Sequence, residues 1–95
     1  MPKEETYALA LQLRRLGSSV PANIAEGYGR DSTGAYVRHL RVAQGSLKEF
    51  DTHLLLAERV ELVDKIAVAP RLEKSEKIGK MLGSLIRSIE RSNQR

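Results

Sequence analysis

The amino-acid sequence predicts an all-α protein, a bundle of three long helices that forms a single domain over residues 1–95. Apolar residues recur at alternating spacings of three and four along most of the chain, which is the period of an amphipathic helix. No segment alternates apolar and polar residues over the length of a convincing strand. A chain of 95 residues is long enough for only one small hydrophobic core.

The clearest helix is predicted over residues 32–60. Asp31 or Ser32 can cap its start, because either side-chain oxygen can accept a hydrogen bond from an early helical N–H. The apolar residues of this segment repeat at heptad spacing without a break, which is typical of helices packed in a left-handed bundle. The predicted seam consists of Tyr36, Leu40, Ala43, Leu47, Phe50, Leu54 and Ala57.

A second helix is predicted over residues 4–27, with an apolar face wide enough to contact more than one neighbour. Pro21 lies inside it and removes a hydrogen bond to the carbonyl of Gly17, so we expect a kinked but continuous helix. Gly27 and Gly29 are expected to end it, because glycine adopts the left-handed conformation past a last helical turn most readily. Its seam is formed by Leu9, Leu13, Leu16 and Val20.

The third helix is predicted over residues 63–92. Pro70 lies near its start, where we expect a kink. Spacings of four and three again define one apolar side, which should face the rest of the bundle. The predicted seam is Ile78, Leu82, Leu85 and Ile89, with Met81 and Ile86 on its flanks.

Composition excludes several classes of protein. There is no cysteine, so disulfides, thiolate metal sites and cysteine nucleophiles are ruled out. The longest apolar run, residues 7–11, is too short to span a membrane, and we therefore expect a cytoplasmic protein. The chain has no tryptophan, three tyrosines and one phenylalanine, too few aromatic side chains for a base-stacking platform.

The excess positive charge belongs to the C-terminal third. The net charge is +4 for the whole chain, +5 for residues 65–95 and −1 for residues 1–64. Five cations of the third helix fall within roughly 80° of one another on a helical wheel, almost opposite its seam. They form either an ordinary solvated face, partly neutralised by Glu73–Lys77 and Glu76–Lys80 pairs, or a surface that binds nucleic-acid phosphates. This cationic stripe consists of Lys77, Lys80, Arg87, Arg91 and Arg95.

No catalytic site, metal site or cofactor is predicted. Glu49 and His53 are one helical turn apart and could supply two metal ligands, but no nearby residue completes a site. His39 and His53 are separated by about 21 Å along one helix and cannot share an ion. The serines lack the sequence context of an activated nucleophile. We therefore expect a protein that is not an enzyme and has no small-molecule substrate.

Asn23 and Glu26 are polar residues within an otherwise apolar helical segment. Polar groups in such a position are hydrogen-bonded or face water. In the structural interpretation, Glu26 bonds an arginine or backbone groups of a neighbouring helix and fixes the register of the bundle. In the functional interpretation, the pair contacts a ligand or a partner. The structural interpretation is favoured.

The segment over residues 19–30 reads S-V-P-A-N-I-A-E-G-Y-G-R. It resembles the S-[IV]-P-x-N-I-A-E-G-x-x-R signature of the four-helix-bundle proteins encoded in intervening sequences of bacterial 23S ribosomal RNA genes. Residues 13–15, 43–49 and 78–88 resemble further segments of that family, so the resemblance covers nearly the whole chain. Within the signature the positions of interest are Pro21, Asn23, Glu26 and Gly27.

The resemblance implies an antiparallel, up-down bundle of the four-helix-bundle type that assembles as a homo-pentamer. It also implies association with the ribosome, or binding of RNA or DNA as in the related accessory proteins of diversity-generating retroelements. Family members usually begin with a further helix before the segment that matches residues 2–7, so we expect the family's first helix to be missing here. The absence of that helix would open a groove lined by some of Leu9, Leu13, Leu16, Leu82, Leu85 and Ile89.

The predicted function is that of a small, basic, non-enzymatic bundle protein, homo-oligomeric and cytoplasmic, that contacts RNA or DNA phosphates through the cationic stripe. The alternative is an accessory subunit that binds another protein without touching nucleic acid. Neither interpretation requires a cofactor, a metal or a membrane.

Overall fold

The computed structural model describes residues 3–93, which form three α-helices joined by two short turns. The helices are α1 (Lys3–Tyr28), α2 (Thr33–Arg59) and α3 (Lys65–Asn93). The described residues contain no strand, so the all-α prediction is confirmed. Each helix begins and ends within two residues of its predicted position, and α1 and α3 continue through Pro21 and Pro70.

The start and end of α2 are set by local hydrogen bonds. Ser32 has an extended backbone, and its side-chain oxygen accepts a hydrogen bond from the Ala35 N–H at 3.1 Å, as the capping residues of the sequence predict. At the other end Glu61 adopts a left-handed conformation with φ of 62°. The Leu62 N–H then donates to the Ala57 carbonyl at 2.8 Å, and the Glu61 N–H to the Glu58 carbonyl at 3.0 Å. This pair of bonds is a Schellman motif, which satisfies the last carbonyls of the helix and turns the chain towards α3.

The central element is α2, which packs against α1 on one side and α3 on the other. The backbones of α1 and α3 do not come within 8 Å of each other, measured between Cα atoms of the described residues. The resulting layer measures 54 × 23 × 14 Å. In this arrangement one side of α1 and one side of α3 have no helix of the described residues packed against them.

Contacts between α1 and α2 run in opposite order along the two helices. Gly17 faces Phe50 near the middle of the pair, and Gly27 faces Tyr36 near the turn. The same holds between α2 and α3, where Leu47 lies against Gly79 and Gln44 approaches Gly83.

The core lies along the heptad seam of α2, as predicted. Leu40, Ala43 and Ala57 are fully buried, and Leu47 and Leu54 are nearly so. The outer helices contribute fewer residues because, in the described part of the chain, only the backbone of α2 lies close to each of them. One continuous cluster joins all three helices through Val20, Leu40, Ala43, Leu47, Leu82 and Ile86.

The predicted seam of α3 is partly wrong. Leu82 is buried as expected, but Leu85 is 36% exposed, while Ile86, expected on the flank, is 3% exposed. The seam that packs on α2 is completed by Val68 and Ser75. Helix α3 is therefore rotated so that the side carrying Leu85 turns away from α2, because no second helix holds that side.

The prediction that Gly27 and Gly29 end the first helix in a left-handed conformation is wrong, although Gly29 does follow its last residue, Tyr28. Neither Gly27 nor Gly29 has a positive φ, and Gly27 lies inside α1. A Cβ on Gly27 would stand 2.9 Å from side-chain atoms of Tyr36 and His39 and 3.2 Å from the Tyr36 carbonyl oxygen. The residue is needed for the close approach of α1 to α2 rather than for its backbone freedom.

Within residues 3–93 no helix is long and apolar enough to cross a membrane.

Candidate nucleic-acid interface

Four residues of the cationic stripe lie on the exposed side of α3. Helical spacing brings them to one face because they occur three, four or seven residues apart. Their separation along the helix axis reaches about 21 Å, at 1.5 Å per residue. They are Lys77, Lys80, Arg87 and Arg91, whereas Arg95 lies outside the described residues.

Carboxylates neutralise only one of these four cations. Lys80 Nζ is 3.3 Å from Glu76 Oε1, in the predicted pair, but both side chains are more than 60% exposed. The predicted Glu73–Lys77 pair is not formed among the described ion pairs. Exposed ion pairs of this kind contribute little free energy of interaction. Water and external anions therefore keep access to all four cations.

Glu90 is the carboxylate nearest in sequence to Arg87 and Arg91, and it turns to α2 instead. Its Oε2 accepts a hydrogen bond from Arg41 Nη2 at 3.4 Å. Arg87 and Arg91 consequently form no ion pair with any described carboxylate. A guanidinium without an acidic partner has its planar set of donors available for an external anion.

Arg87 folds back along α3 over Gly83. Its Nη1 lies 3.2 Å from the position that a Cβ on residue 83 would take, and Gln44 Nε2 lies 3.8 Å from that position. The missing side chain at Gly83 thus gives the guanidinium room against the helix. The exposed hydroxyl groups of Ser84 and Ser88 lie beside the stripe and add two more potential hydrogen-bond donors.

The signature segment contains a polar network between α1 and α2. Asn23 Nδ2 donates to the Ser19 carbonyl at 2.8 Å and to its Oγ at 3.0 Å, and Ser19 Oγ pairs with Ser46 Oγ at 2.8 Å. Asn23 Oδ1 lies 3.2 Å from His39 Nδ1. All four side chains are partly buried, so the network connects the two helices where apolar packing alone would allow sliding.

Glu26 does not have the partner that was predicted for it. It is exposed, and its carboxylate pairs with Arg30 one turn later rather than with a neighbouring helix. The reason is the orientation of α1: Asn23 faces α2, and Glu26, three residues on, points into solvent. Pro21 is exposed as well and lines the space between α1 and α3.

An open groove of about 760 Å³ separates α1 from α3. Leu82 and Leu85 line it as predicted, but Leu9, Leu13, Leu16 and Ile89 do not. The groove lies further along α1 than expected, because the register of the helices sets the middle of α3 beside the second half of α1. Its lining is Val20, Pro21, Ile24, Ile78, Met81, Leu82, Ser84, Leu85 and Ser88.

The two histidines are used in internal hydrogen bonds. His39 pairs with Asn23, and His53 Nδ1 lies 2.8 Å from the Glu49 carbonyl oxygen one turn earlier. No group of three or more potential ligands suited to a metal ion occurs in the part of the chain that the structure describes.

Sequence reasoning missed Ser19 and His39 as partners of Asn23, and Ser46 as the partner of Ser19. Each is a polar residue next to an apolar seam position, a weak signal that identifies no partner until the register of two helices is known. The sequence predicts the groove, but it places the α1 wall within residues 9–16, whereas the observed wall lies within residues 20–24.

A family model described as 23S rRNA-intervening sequence protein matches residues 1–84. No curated protein matches the chain.

Proposed function

Because the chain belongs to the family of 23S rRNA-intervening sequence proteins, we propose that it is a non-enzymatic, homo-oligomeric protein that binds the phosphates of RNA or DNA. The proposal places this activity in the cytoplasm, in association with the ribosome. Three helices of this chain then form an antiparallel, up-down arrangement of the four-helix-bundle type, with the α1–α3 groove where a further helix would pack.

One observation carries the proposal: on the outer side of α3, Lys77, Arg87 and Arg91 are exposed cations without an ion-pair partner among the described residues. Acidic side chains that could neutralise them are turned elsewhere, Glu90 to Arg41 and Glu76 to Lys80. A row of free cations on one continuous helix suits the regular negative charge of a nucleic-acid backbone.

Such an interface binds through charge and recognises little sequence. Phosphate contacts release counterions, so affinity falls steeply as salt is added. The described stripe has no aromatic side chain on which a base could stack. We therefore propose binding that tolerates many sequences, with ribosomal RNA as the first nucleic acid to examine.

The test compares the salt dependence of binding for two variants of equal net charge. Arg87→Ala/Arg91→Ala removes two stripe cations, and Arg15→Ala/Arg38→Ala removes two exposed arginines from α1 and α2. Fluorescence anisotropy with a labelled single-stranded RNA is recorded from 50 to 300 mM NaCl. The stripe variant should flatten the plot of log affinity against log salt by about 1.4, since each single-strand phosphate contact contributes about 0.7.

The control variant should keep a slope closer to that of the unaltered chain. Equal slopes for the two variants would show that only net charge matters and would refute the stripe as the interface. Absence of binding to RNA and to duplex DNA at 50 mM NaCl would favour the second candidate function, an accessory subunit that contacts only protein. The open apolar groove is the observation that favours this candidate.

A further inference from the structure

Tyr28 is an exposed aromatic residue at the turn between α1 and α2. It is the last residue of α1, and 80% of its surface is accessible to solvent. Exposure alone is common for a tyrosine. What distinguishes Tyr28 is that other residues hold its ring in place at the surface.

The ring of Tyr28 is supported by the ring of Tyr36. The two centroids are 6.2 Å apart and the ring planes are at 84°, an edge-to-face arrangement. Tyr36 is partly buried and packs on the core cluster that joins the three helices. Gly27, the residue before Tyr28, lies so close to α2 that a Cβ would stand 2.9 Å from Tyr36 and His39. Tyr28 is thus already positioned, so that stacking a ligand on it costs little further ordering.

We propose that Tyr28 stacks on one unpaired base of a nucleic acid bound along the cationic stripe, so that the protein prefers single strands to duplexes. The inference rests on the proposed nucleic-acid binding and adds the class of nucleic acid. Every base has a π-face, so stacking on tyrosine tolerates any sequence. The bases of a duplex are stacked on one another, and withdrawing one costs free energy. One ring does not form a stacking platform, but it is sufficient for one base.

Tyr28 and the C-terminal part of the stripe lie at the same end of the molecule. Gly27 faces Tyr36 near the start of α2, and Glu90 of α3 contacts Arg41 in the first third of α2. The ends of α1 and α3 are therefore beside the same part of α2, in a molecule that measures 23 Å in its second dimension. A strand whose phosphates follow the stripe towards the end of α3 is thereby directed to the end that carries Tyr28.

The charges at this end favour a polyanion. Over residues 26–41 and 86–93 five arginines stand against three carboxylates, a net charge of +2. Two of the carboxylates, Glu26 and Glu90, are paired with arginines. Asp31 forms no ion pair with a described residue, and it is outweighed by Arg87 and Arg91, which form none either. A phosphate backbone is therefore attracted to the end where Tyr28 is exposed.

The surroundings of Tyr28 favour a base over a protein partner. Residues 29–34, which follow it, are all exposed, and none is a large apolar residue. Protein interfaces have a contiguous apolar patch at their centre, whereas here one ring lies among polar residues and glycines. The apolar area that Tyr28 offers suits a single planar group.

The test compares two strands that differ only in their bases. One is a labelled twelve-nucleotide oligouridylate, and the other is an abasic strand of the same length and charge. Binding of each strand by the full chain is measured by fluorescence anisotropy at 50 mM NaCl. The unaltered chain should bind oligouridylate about tenfold more tightly, a ratio within the range for loss of one base–aromatic stack. Tyr28→Leu should bind both strands equally, because leucine is apolar but has no π-face.

Two further variants locate the effect. Tyr28→Phe keeps an aromatic ring and should keep the tenfold preference. Tyr7→Leu makes the leucine change at a tyrosine that is 68% exposed and lies about 31 Å away along α1, and it should keep the preference as well. Circular dichroism checks that each variant retains its helices. Tyr28→Leu should also leave the salt dependence of binding unchanged, because it removes no charge.

Three results would overturn the inference. Equal binding of the two strands by the unaltered chain would do so while leaving the proposed phosphate binding intact. A base preference that Tyr28→Leu retains would show that another part of the surface contacts the base. If Tyr28→Leu weakened binding to a twelve-base-pair RNA duplex as much as to oligouridylate, the ring would not act through an unpaired base. Absence of binding to either strand would instead overturn the proposed function, and this inference with it.

Discussion

Asn23 on α1 and His39 on α2 face each other, with Asn23 Oδ1 3.2 Å from His39 Nδ1. The amide nitrogen of Asn23 donates to the Ser19 carbonyl at 2.8 Å, so its oxygen is the atom turned to α2. That oxygen is an acceptor, and the Nδ1–H of His39 is therefore the donor. One pair of side chains thus fixes both the rotation of α1 and its register along α2.

Replacing Asn23 by alanine should lower the free energy of unfolding by about 1–3 kcal/mol. The substitution leaves the His39 N–H without its partner in a partly buried interface, and an unsatisfied donor loses its hydration without compensation. Urea unfolding followed by circular dichroism measures the effect at one fixed protein concentration. A change below about 0.5 kcal/mol would contradict the role of Asn23 in joining the helices.

Glu26→Gln is the matched control, three residues further on the same helix. Its carboxylate is exposed and pairs only with Arg30, so its loss should cost less than about 1 kcal/mol. If Glu26→Gln destabilised the fold as much as Asn23→Ala, Glu26 would have a partner that the structure does not show.

Substitution of glycine by alanine should change stability in opposite directions at two positions. Gly27→Ala would place a Cβ 2.9 Å from Tyr36 and His39, so α1 and α2 must separate and stability should fall by about 1–3 kcal/mol. Gly45→Ala meets no atom within 4 Å and should raise stability by about 0.5–1 kcal/mol, the gain in helix propensity. Thermal melting of both variants provides the measurement. Equal changes in melting temperature for the two variants would mean that α1 and α2 are not tightly packed at Gly27.

Glu61→Gly should stabilise the turn between α2 and α3. Glu61 holds a φ of 62°, a conformation that costs a residue with a Cβ about 1 kcal/mol and costs glycine almost nothing. The Schellman bonds at this turn use only backbone atoms and survive the change. We expect the free energy of unfolding, measured by urea denaturation, to rise by about 0.5–1 kcal/mol.

The same substitution at Glu49 provides the comparison for that prediction. Glu49 is an exposed residue inside α2, where glycine is a poor helix former, so Glu49→Gly should lose about 1 kcal/mol. Loss of stability in Glu61→Gly as well would show that the Glu61 side chain contributes more than its backbone conformation costs.

The sequence predicts α2 better than its neighbours for a physical reason. Its seam is held between two helices, so heptad spacing alone identifies Leu40, Ala43 and Leu47 as core. Among the described residues the backbone of α3 comes close only to that of α2, and packing rather than periodicity decides whether Leu85 or Ile86 turns inward. Spacing along one helix does not contain that information.

The same limit applies to the candidate nucleic-acid interface, where spacing along one helix again predicts only part of the arrangement. Helical spacing was sufficient to bring Lys77, Lys80, Arg87 and Arg91 to one face, because they belong to one straight element. Whether Glu73 or Glu90 would neutralise them depended on side-chain contacts between helices, which spacing does not provide. The Arg41–Glu90 contact, which leaves Arg87 and Arg91 free, joins residues 49 positions apart.

The final prediction is that the chain assembles with copies of itself through the outer end of α2. Leu55 and Leu56 are about half exposed there, beside an open hollow of about 990 Å³ that Val63 also lines. Charges of both signs surround it, Arg59 and Lys65 among carboxylates, so one copy can offer cations to the anions of the next. The α1–α3 groove, whose lining contains no charged residue, lacks this self-complementarity of charge.

Light scattering coupled to size exclusion should give a mass that is a multiple of 10.6 kDa, five-fold for the pentamer that the family resemblance implies. Leu55→Gln/Leu56→Gln should shift that mass towards a single chain, since it removes exposed apolar surface that only assembly would bury. Met81→Gln/Leu85→Gln, the equivalent change in the groove, should leave the mass unaltered. A cooperatively melting monomer of the unaltered chain at micromolar concentration would refute the prediction, and dissociation by the groove variant alone would move the interface to α1 and α3.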